Sequence, residues 1–435
     1  MSIQTTRRQT TRRRLVTGGA VLTATALAIT GCGRSEDSPE SAPKATTSIS
    51  DGPATGDITV WAMGTEGENL PKLTAAFEQA NPGAKVKVTP IPWDAAHSKF
   101  TTAITAQTLP DAAMVGTTWM GEFADLGALD PTPAGIDTAG FFEGANETTK
   151  VGDTSYGVPW YVETRLVYYR KDLAAKAGIT TPPTDWDGLK AMAKAMKEKA
   201  GAKYGINLQP GGTGSWQTVM PFAWSAGASI TNDDQKEFTF DTPQMQEGLK
   251  YYQSFFTDKL AGTDLPANQT EAQFVSGEIP MFISGPWMAG SVAKLGGDKI
   301  KPNIGVFQLP KNKTATSFVG GSNFVVFKNS KNKDSAWKLV KWLSDAKTQA
   351  QWFKLSTDLP AVKSAWEDPS IASDPLLPVF GKQLEDAKAP PAIVNWEQVA
   401  AAFDAEVEKL AKSGQSPADT AKAIQTKAAS IGTGS

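Results

Sequence analysis

Apolar and polar positions alternate between two rhythms along the chain from about Asp57 onward. Asp57-Ile58-Thr59-Val60-Trp61-Ala62 is rich in β-branched residues and predicts a short strand. Leu70, Leu73, Phe77 and Ala80 then fall on one helical face. Asn81-Pro82-Gly83 stops that helix. Val86 and Val88 alternate in a second strand that ends at Pro90-Ile91-Pro92. A helix around 98–107 leads to Leu109-Pro110-Asp111, and 111–115 reads as a third strand. Strand, helix, strand, helix, strand implies an α/β fold with a parallel sheet and helices on both faces. Helical patterns later in the chain take in Trp337, Trp342 and Trp352, expected in the core. Trp186 opens a helix after Pro182-Pro183-Thr184-Asp185.

Ligands of such sheets bind at the loops beyond the carboxyl ends of the strands. Polar and aromatic residues gather in those predicted loops. Trp61 and Gly64-Thr65-Glu66-Gly67-Glu68 follow the first strand, Trp93-Asp94 the second, and Gly116-Thr117-Thr118-Trp119 the third. Further along come Pro159-Trp160-Tyr161-Val162-Glu163-Thr164-Arg165, Ser215-Trp216-Gln217, Gly285-Pro286-Trp287 and Gly320-Gly321-Ser322-Asn323. Eight Trp (61, 93, 119, 160, 216, 224, 287, 396) lie in or beside apparent loops. Any single Trp is as readily explained by packing, since Trp is highly buried on average. Several at strand ends suit sugars, whose C–H patches lie on flat aromatic faces while Asp, Glu, Asn, Gln and Arg meet the rim hydroxyls.

The first 31 residues read differently. Arg12-Arg13-Arg14, an apolar run from Leu15 to Ile29, and Thr30-Gly31 before Cys32 make a secretory signal peptide, too short in its apolar part to span a membrane. Cys32 is the sole cysteine, and its context resembles a lipobox, whose Cys carries a diacylglycerol anchor. The Arg-rich start also resembles a twin-arginine signal, so export by either the Sec or the twin-arginine route fits. Residues 32–56 have almost no large apolar side chain and predict a lipidated Cys on a flexible tether. The protein is expected on the outer face of the bacterial cytoplasmic membrane.

Composition then removes several kinds of function. Loss of residues 1–31 removes five Arg and no acid, leaving 38 basic and 45 acidic residues and a net charge of −7, which argues against nucleic acid. One histidine, His97, excludes zinc sites built from several His or Cys. Neither a nucleophile elbow nor a phosphate-binding loop is present, and Gly211-Gly212-Thr213-Gly214 reads as a plain flexible loop. A pair of carboxylates could still hydrolyse a glycoside, so a secreted glycosidase stays open as a rival.

A shared order of short motifs is more specific than any of these. Ile58-Thr59-Val60-Trp61, Ala75-Ala76-Phe77-Glu78 with Asn81-Pro82-Gly83, and Leu109-Pro110-Asp111 through Trp119 come first, with 123–129 after them. Tyr156-Gly157-Val158-Pro159-Trp160, 166–173, Pro183-Thr184-Asp185-Trp186, 274–281, Gly285-Pro286-Trp287 and 305–310 follow. In that order the chain resembles the extracellular solute-binding proteins of bacterial ABC sugar importers, the group that includes maltose-binding protein. The resemblance implies a two-lobed periplasmic-binding-protein fold, each lobe a parallel-rich sheet flanked by helices, joined by a hinge of three crossings. It places one lobe at 57–161 plus 323–365 and the other at 165–318 plus 368–432.

The resemblance also implies a site. Glu66, Trp93, Asp94, Thr118 and Trp119 occupy loops that contact sugar in the family, and Glu163 matches an acidic pocket residue. Trp216, Trp287 and Trp396 match stacking positions. Trp160, Arg165, Gln217, Gly321, Ser322 and Asn323, from the loop segments above, complete the expected ligand-binding set. Thr118-Trp119 stands where maltose-binding protein has an Asp-Arg pair, so maltose itself is not implied. The expected function is a monomeric receptor that delivers a di- or oligosaccharide to an ABC permease, with no catalysis, cofactor, metal or nucleic acid. A glycerol-phosphodiester or monosaccharide ligand is the alternative within the class.

Overall fold

The computed structural model describes residues 48–265 and 269–434. Cys32 and the signal segment lie outside the described residues. β1 (Gly56–Met63), α1 (Gly64–Ala80), β2 (Ala84–Ile91), α2 (Trp93–Ala106) and β3 (Ala112–Gly116) appear in the predicted order. β1 lies between β2 and β3 and is parallel to both. Leu70, Leu73 and Phe77 bury the inner face of α1, whereas Ala80 is its exposed last residue. Asn81 closes α1 by donating from its side chain to Phe77 O and accepting from Ala54 N.

The full sheet has seven strands and is mixed. The long strand Ser317–Val326 runs antiparallel between β3 and the strand Val158–Thr164, which in turn pairs with Leu359–Pro360. A second sheet of three strands centres on Leu166–Arg170, antiparallel to both Met281–Ser284 and Ile304–Phe307. One parallel bridge, Asn207 to Phe282, joins its edge. A single residue, Arg165, separates Thr164 in the first sheet from Leu166 in the second. The chain returns to the first sheet between Phe307 and Ser317.

Buried apolar side chains form two clusters, as a chain of this length requires. One surrounds the seven-stranded sheet and includes Phe100, Trp160, Phe324, Trp337 and Trp352. The other packs helices Trp186–Ala200, Trp216–Ser225, Pro243–Thr257, Trp396–Glu408 and Pro417–Ile431 together. Asp185 caps the first of these helices by accepting from Gly188 N. The three-stranded sheet serves both clusters: Val167 and Met281 face the second, Tyr168 and Phe282 the first. Phe380 joins the first cluster beside Tyr168, so the cores interlock near the crossings.

The end of the expected tether is not loose. Ser50 donates from N and Oγ to Asp334, Thr55 exchanges hydrogen bonds with Ser335, and Ala54 is fully buried. Two partners on the distant helix Lys333–Leu343 hold a segment whose composition alone predicts no order.

Candidate functional site

Three of the predicted loops are the first turns of helices. α1 begins at Gly64 directly after β1, so Glu66 sits in its first turn. Trp93 and Asp94 open α2, and Thr117–Trp119 form a 3-10 turn after β3. Helix starts hold the strand-end side chains more firmly than open loops would. Gly64 has φ of 52° and lies against the Trp93 ring, which a Cβ there would strike at 2.7 Å.

These turns border a cleft of about 920 Å³, near the upper end for small-molecule sites. Around the first sheet, Glu66, Trp93, Thr118, Trp119, Tyr161, Glu163, Gly321 and Asp358 line it. Trp216, Gln217 and the helix face Glu397–Glu408 line it from the second cluster, and Trp287 lines it beside Arg165. Trp93 and Trp287 are 38% and 46% exposed, unusual values for so large an apolar ring. Trp119 is half-buried against Trp93, His97, Phe100 and Phe123. His97 meets Glu122 Oε2 at 2.7 Å and supports that aromatic group from outside the cleft.

Trp216 differs from Trp287. Only 4% exposed, it packs edge-on against Trp396 and Phe318 at 4.9 and 5.3 Å between centroids. Asp404 fixes its helix start by accepting from Gly214 N, Ser215 Oγ and Trp216 N at 2.7–2.8 Å. The Gly-rich loop read as flexible is thereby tied to the helix Trp396–Glu408. Trp287 lies over the Arg165 guanidinium at 4.8 Å. Arg165 donates to Gln217 Oε1 at 2.7 Å and approaches Glu163 at 3.3 Å.

Several expected residues lie elsewhere. Trp160 is 1% exposed and packs on Phe324 and Trp352, because strand alternation turns it inward while Tyr161 and Glu163 face outward. Ser322 and Asn323 are fully buried within a strand rather than a loop, and Asn323 bonds Thr148. Gly321, with φ of 125°, gives the close strand contact at the cleft wall: a Cβ would strike Tyr161 O at 2.1 Å. Trp396 is buried behind Trp216. Asp94 and Arg165 do not line the cleft. Trp61 lies in β1 and Trp224 inside a helix, not in loops.

Asp358 and Tyr161 were not among the expected site residues. Pairing of Leu359 with Val162 brings Asp358 to the Glu163 end of its strand. Tyr161 OH donates to Glu66 Oε1 at 3.3 Å. Burial, then Glu66 and more weakly Glu163, push the Asp358 carboxyl up to about 7 against donors from Ser356 and Trp352. Burial also raises Glu163, with Arg165 opposing. Tyr161 is raised well above the usual phenol range by burial and then by Asp358, Glu66 and Glu163.

Residues 62–350 match the model of the bacterial extracellular solute-binding protein family. The chain belongs to that family. The structure of the solute-binding protein aligns with the sugar-binding protein MalE from the phytopathogen Xanthomonas citri at a TM-score of 0.82 and 33% identity, over 86% of this chain and 97% of that one. The two-lobed fold is therefore that of MalE-like receptors. The diacetylchitobiose binding protein DasA of Streptomyces coelicolor is 26% identical, covering 86% of this chain and 89% of its own. A galactooligosaccharide-binding protein of Bacillus subtilis is 24% identical, covering 91% of each. These relatives are binding proteins of an extracytoplasmic family, and among the described residues no helix is long and apolar enough to cross a membrane.

Proposed function

We propose that the solute-binding protein captures a di- or oligosaccharide in the cleft between its lobes and delivers it to an ABC permease without chemical change. The observation that carries this reading is the pair of exposed rings, Trp93 and Trp287, that line one cleft rich in carboxylate acceptors. Its volume favours more than one sugar ring. Lobes of 57–161 plus 323–365 and 165–318 plus 368–432 would close on a ligand touching both, because such a ligand binds the closed form better. Glu66, Trp93, Thr118, Trp119, Glu163, Trp216, Gln217, Trp287 and Gly321 remain the proposed contacts. Lipidation of Cys32 would hold the receptor at the membrane.

A phosphodiester ligand fits poorly. Six carboxylates (Glu66, Glu163, Asp358, Glu397, Asp404, Glu408) line the cleft and no Lys, Arg or His does so among the described residues. One observation favours the glycosidase reading: Asp358, with a raised pKa beside two other carboxylates, has the character of a general acid. Native mass spectrometry of the protein with a saccharide library separates the two. Intact sugar retained on the protein supports the receptor; turnover to cleaved products would replace it with the enzyme.

A further inference from the structure

Several buried or half-buried carboxylates elsewhere among the described residues are matched by cations or several donors. Asp130 meets Lys333 Nζ at 2.8 Å and Trp337 Nε1 at 2.9 Å. Glu406 binds Lys409 and Lys427, each at 2.7 Å, together with Gln415. Asp111 accepts from Thr59 and Ser330.

The first-sheet wall of the cleft breaks this pattern. Among the described residues Glu66 has only neutral hydroxyl donors, Thr65 and Tyr161, each at 3.3 Å. Asp358 accepts from the neutral indole of Trp352 at 3.0 Å. Glu163 shares Arg165 with Gln217, which has the shorter bond, and its Oε2 is a buried atom with no hydrogen-bond partner. Three carboxylates around Tyr161 therefore have one guanidinium among them. Like charges so placed repel until one takes up a proton or a cation joins them.

We propose that the cleft selects a saccharide carrying a protonated amine, with the ammonium seated among Glu66, Glu163 and Asp358 beside Trp93. The inference rests on the saccharide-receptor reading above. An ammonium has three donors and no acceptor, which suits a cleft wall lined by carboxylate acceptors. Trp93, whose ring adjoins Gly64 as Glu66 does, offers a face for the same charge. The raised Asp358 agrees: with Glu66, Glu163 and Tyr161 near it, an ammonium would restore its ionised form. The amine preference should therefore weaken as pH falls through about 7.

Titration calorimetry at pH 7 tests this with disaccharides of several linkages, each as the amino sugar, its N-acetyl derivative and the parent hydroxyl sugar. A linear polyamine serves as a ring-free control. The amino form of at least one linkage should bind about tenfold or more tighter than its own two analogues. Asp358→Asn, and independently Glu66→Gln, should lower that ratio. Equal or tighter binding of the hydroxyl form in every linkage overturns the amine inference and leaves the saccharide receptor standing. Failure of every saccharide to bind, or binding of the polyamine alone, overturns both.

Discussion

The two walls of the cleft each contain a carboxylate close to a tryptophan, and they use it in opposite ways. On the helical wall Asp404 accepts from three donors at the start of the Trp216 helix, and the ring beside it is buried. On the first-sheet wall Asp358 has only neutral side-chain donors, Trp352 and Ser356, and keeps two other carboxylates for neighbours. The first arrangement builds the wall. The second leaves charge at the surface that a ligand can meet. Residue type does not distinguish them; the number and kind of donors does.

The strongest way to break this comparison is to truncate the two rings of the helical wall. Trp216→Ala should cost about 3–5 kcal/mol of stability, as buried aromatic truncations do. A fall in melting temperature would show it before any binding assay. Trp287→Ala should leave the melting temperature nearly unchanged and cost about 2–4 kcal/mol of saccharide affinity by calorimetry. If Trp287→Ala melts early and binds normally, its ring is structural and the contrast collapses.

Asp404→Ala comes next in size. Loss of its charge-assisted bonds should destabilise by about 2–3 kcal/mol, with hydrogen exchange rising first at 212–217. Asp404→Asn should restore part of this, since an amide oxygen still accepts. No change in exchange there would remove Asp404 from its supporting role.

A further effect concerns pH. Asp358 titrates near 7 when folded, above its unfolded range, so the native state holds the extra proton between about pH 4 and 7. Its contribution to stability should fall as pH rises through that window, and Asp358→Asn should remove that slope. Glu406 has the opposite sign. Held down to about 2, its contribution is present above about pH 4 and is lost as pH falls toward 2. Thermal melts of wild type and Asp358→Asn across pH 4–8 check the first; an unchanged slope would contradict it.

Local pattern made much of this fold legible. Spacing of Leu70, Leu73 and Phe77 and the stop at Asn81-Pro82-Gly83 marked α1, and β1 to β3 followed from their neighbours. Strand ends pointed to the cleft for Glu66, Trp93 and Trp119 because that rule depends on topology alone. Trp160 is the exception, because strand period and not residue chemistry sets its side: within 158–164, alternation buries Trp160 and Val162 and turns Tyr161 and Glu163 outward. Asp358 was illegible for a different reason. Its place depends on a two-strand pairing between residues almost two hundred positions apart, which no local rhythm encodes.

The docking of Ser50–Thr55 on the helix Lys333–Leu343 also has a mechanical consequence. If the amino end is attached to a surface, any pull transmitted along it meets Asp334, Ser335 and Asn81 before it reaches Gly56. Load is thus borne by side chains from two distant parts of the chain, and the edge where β1 joins β2 is spared from being peeled. A short clasp of serine, threonine and asparagine acts as strain relief, as a cable grip does where a cord enters an instrument.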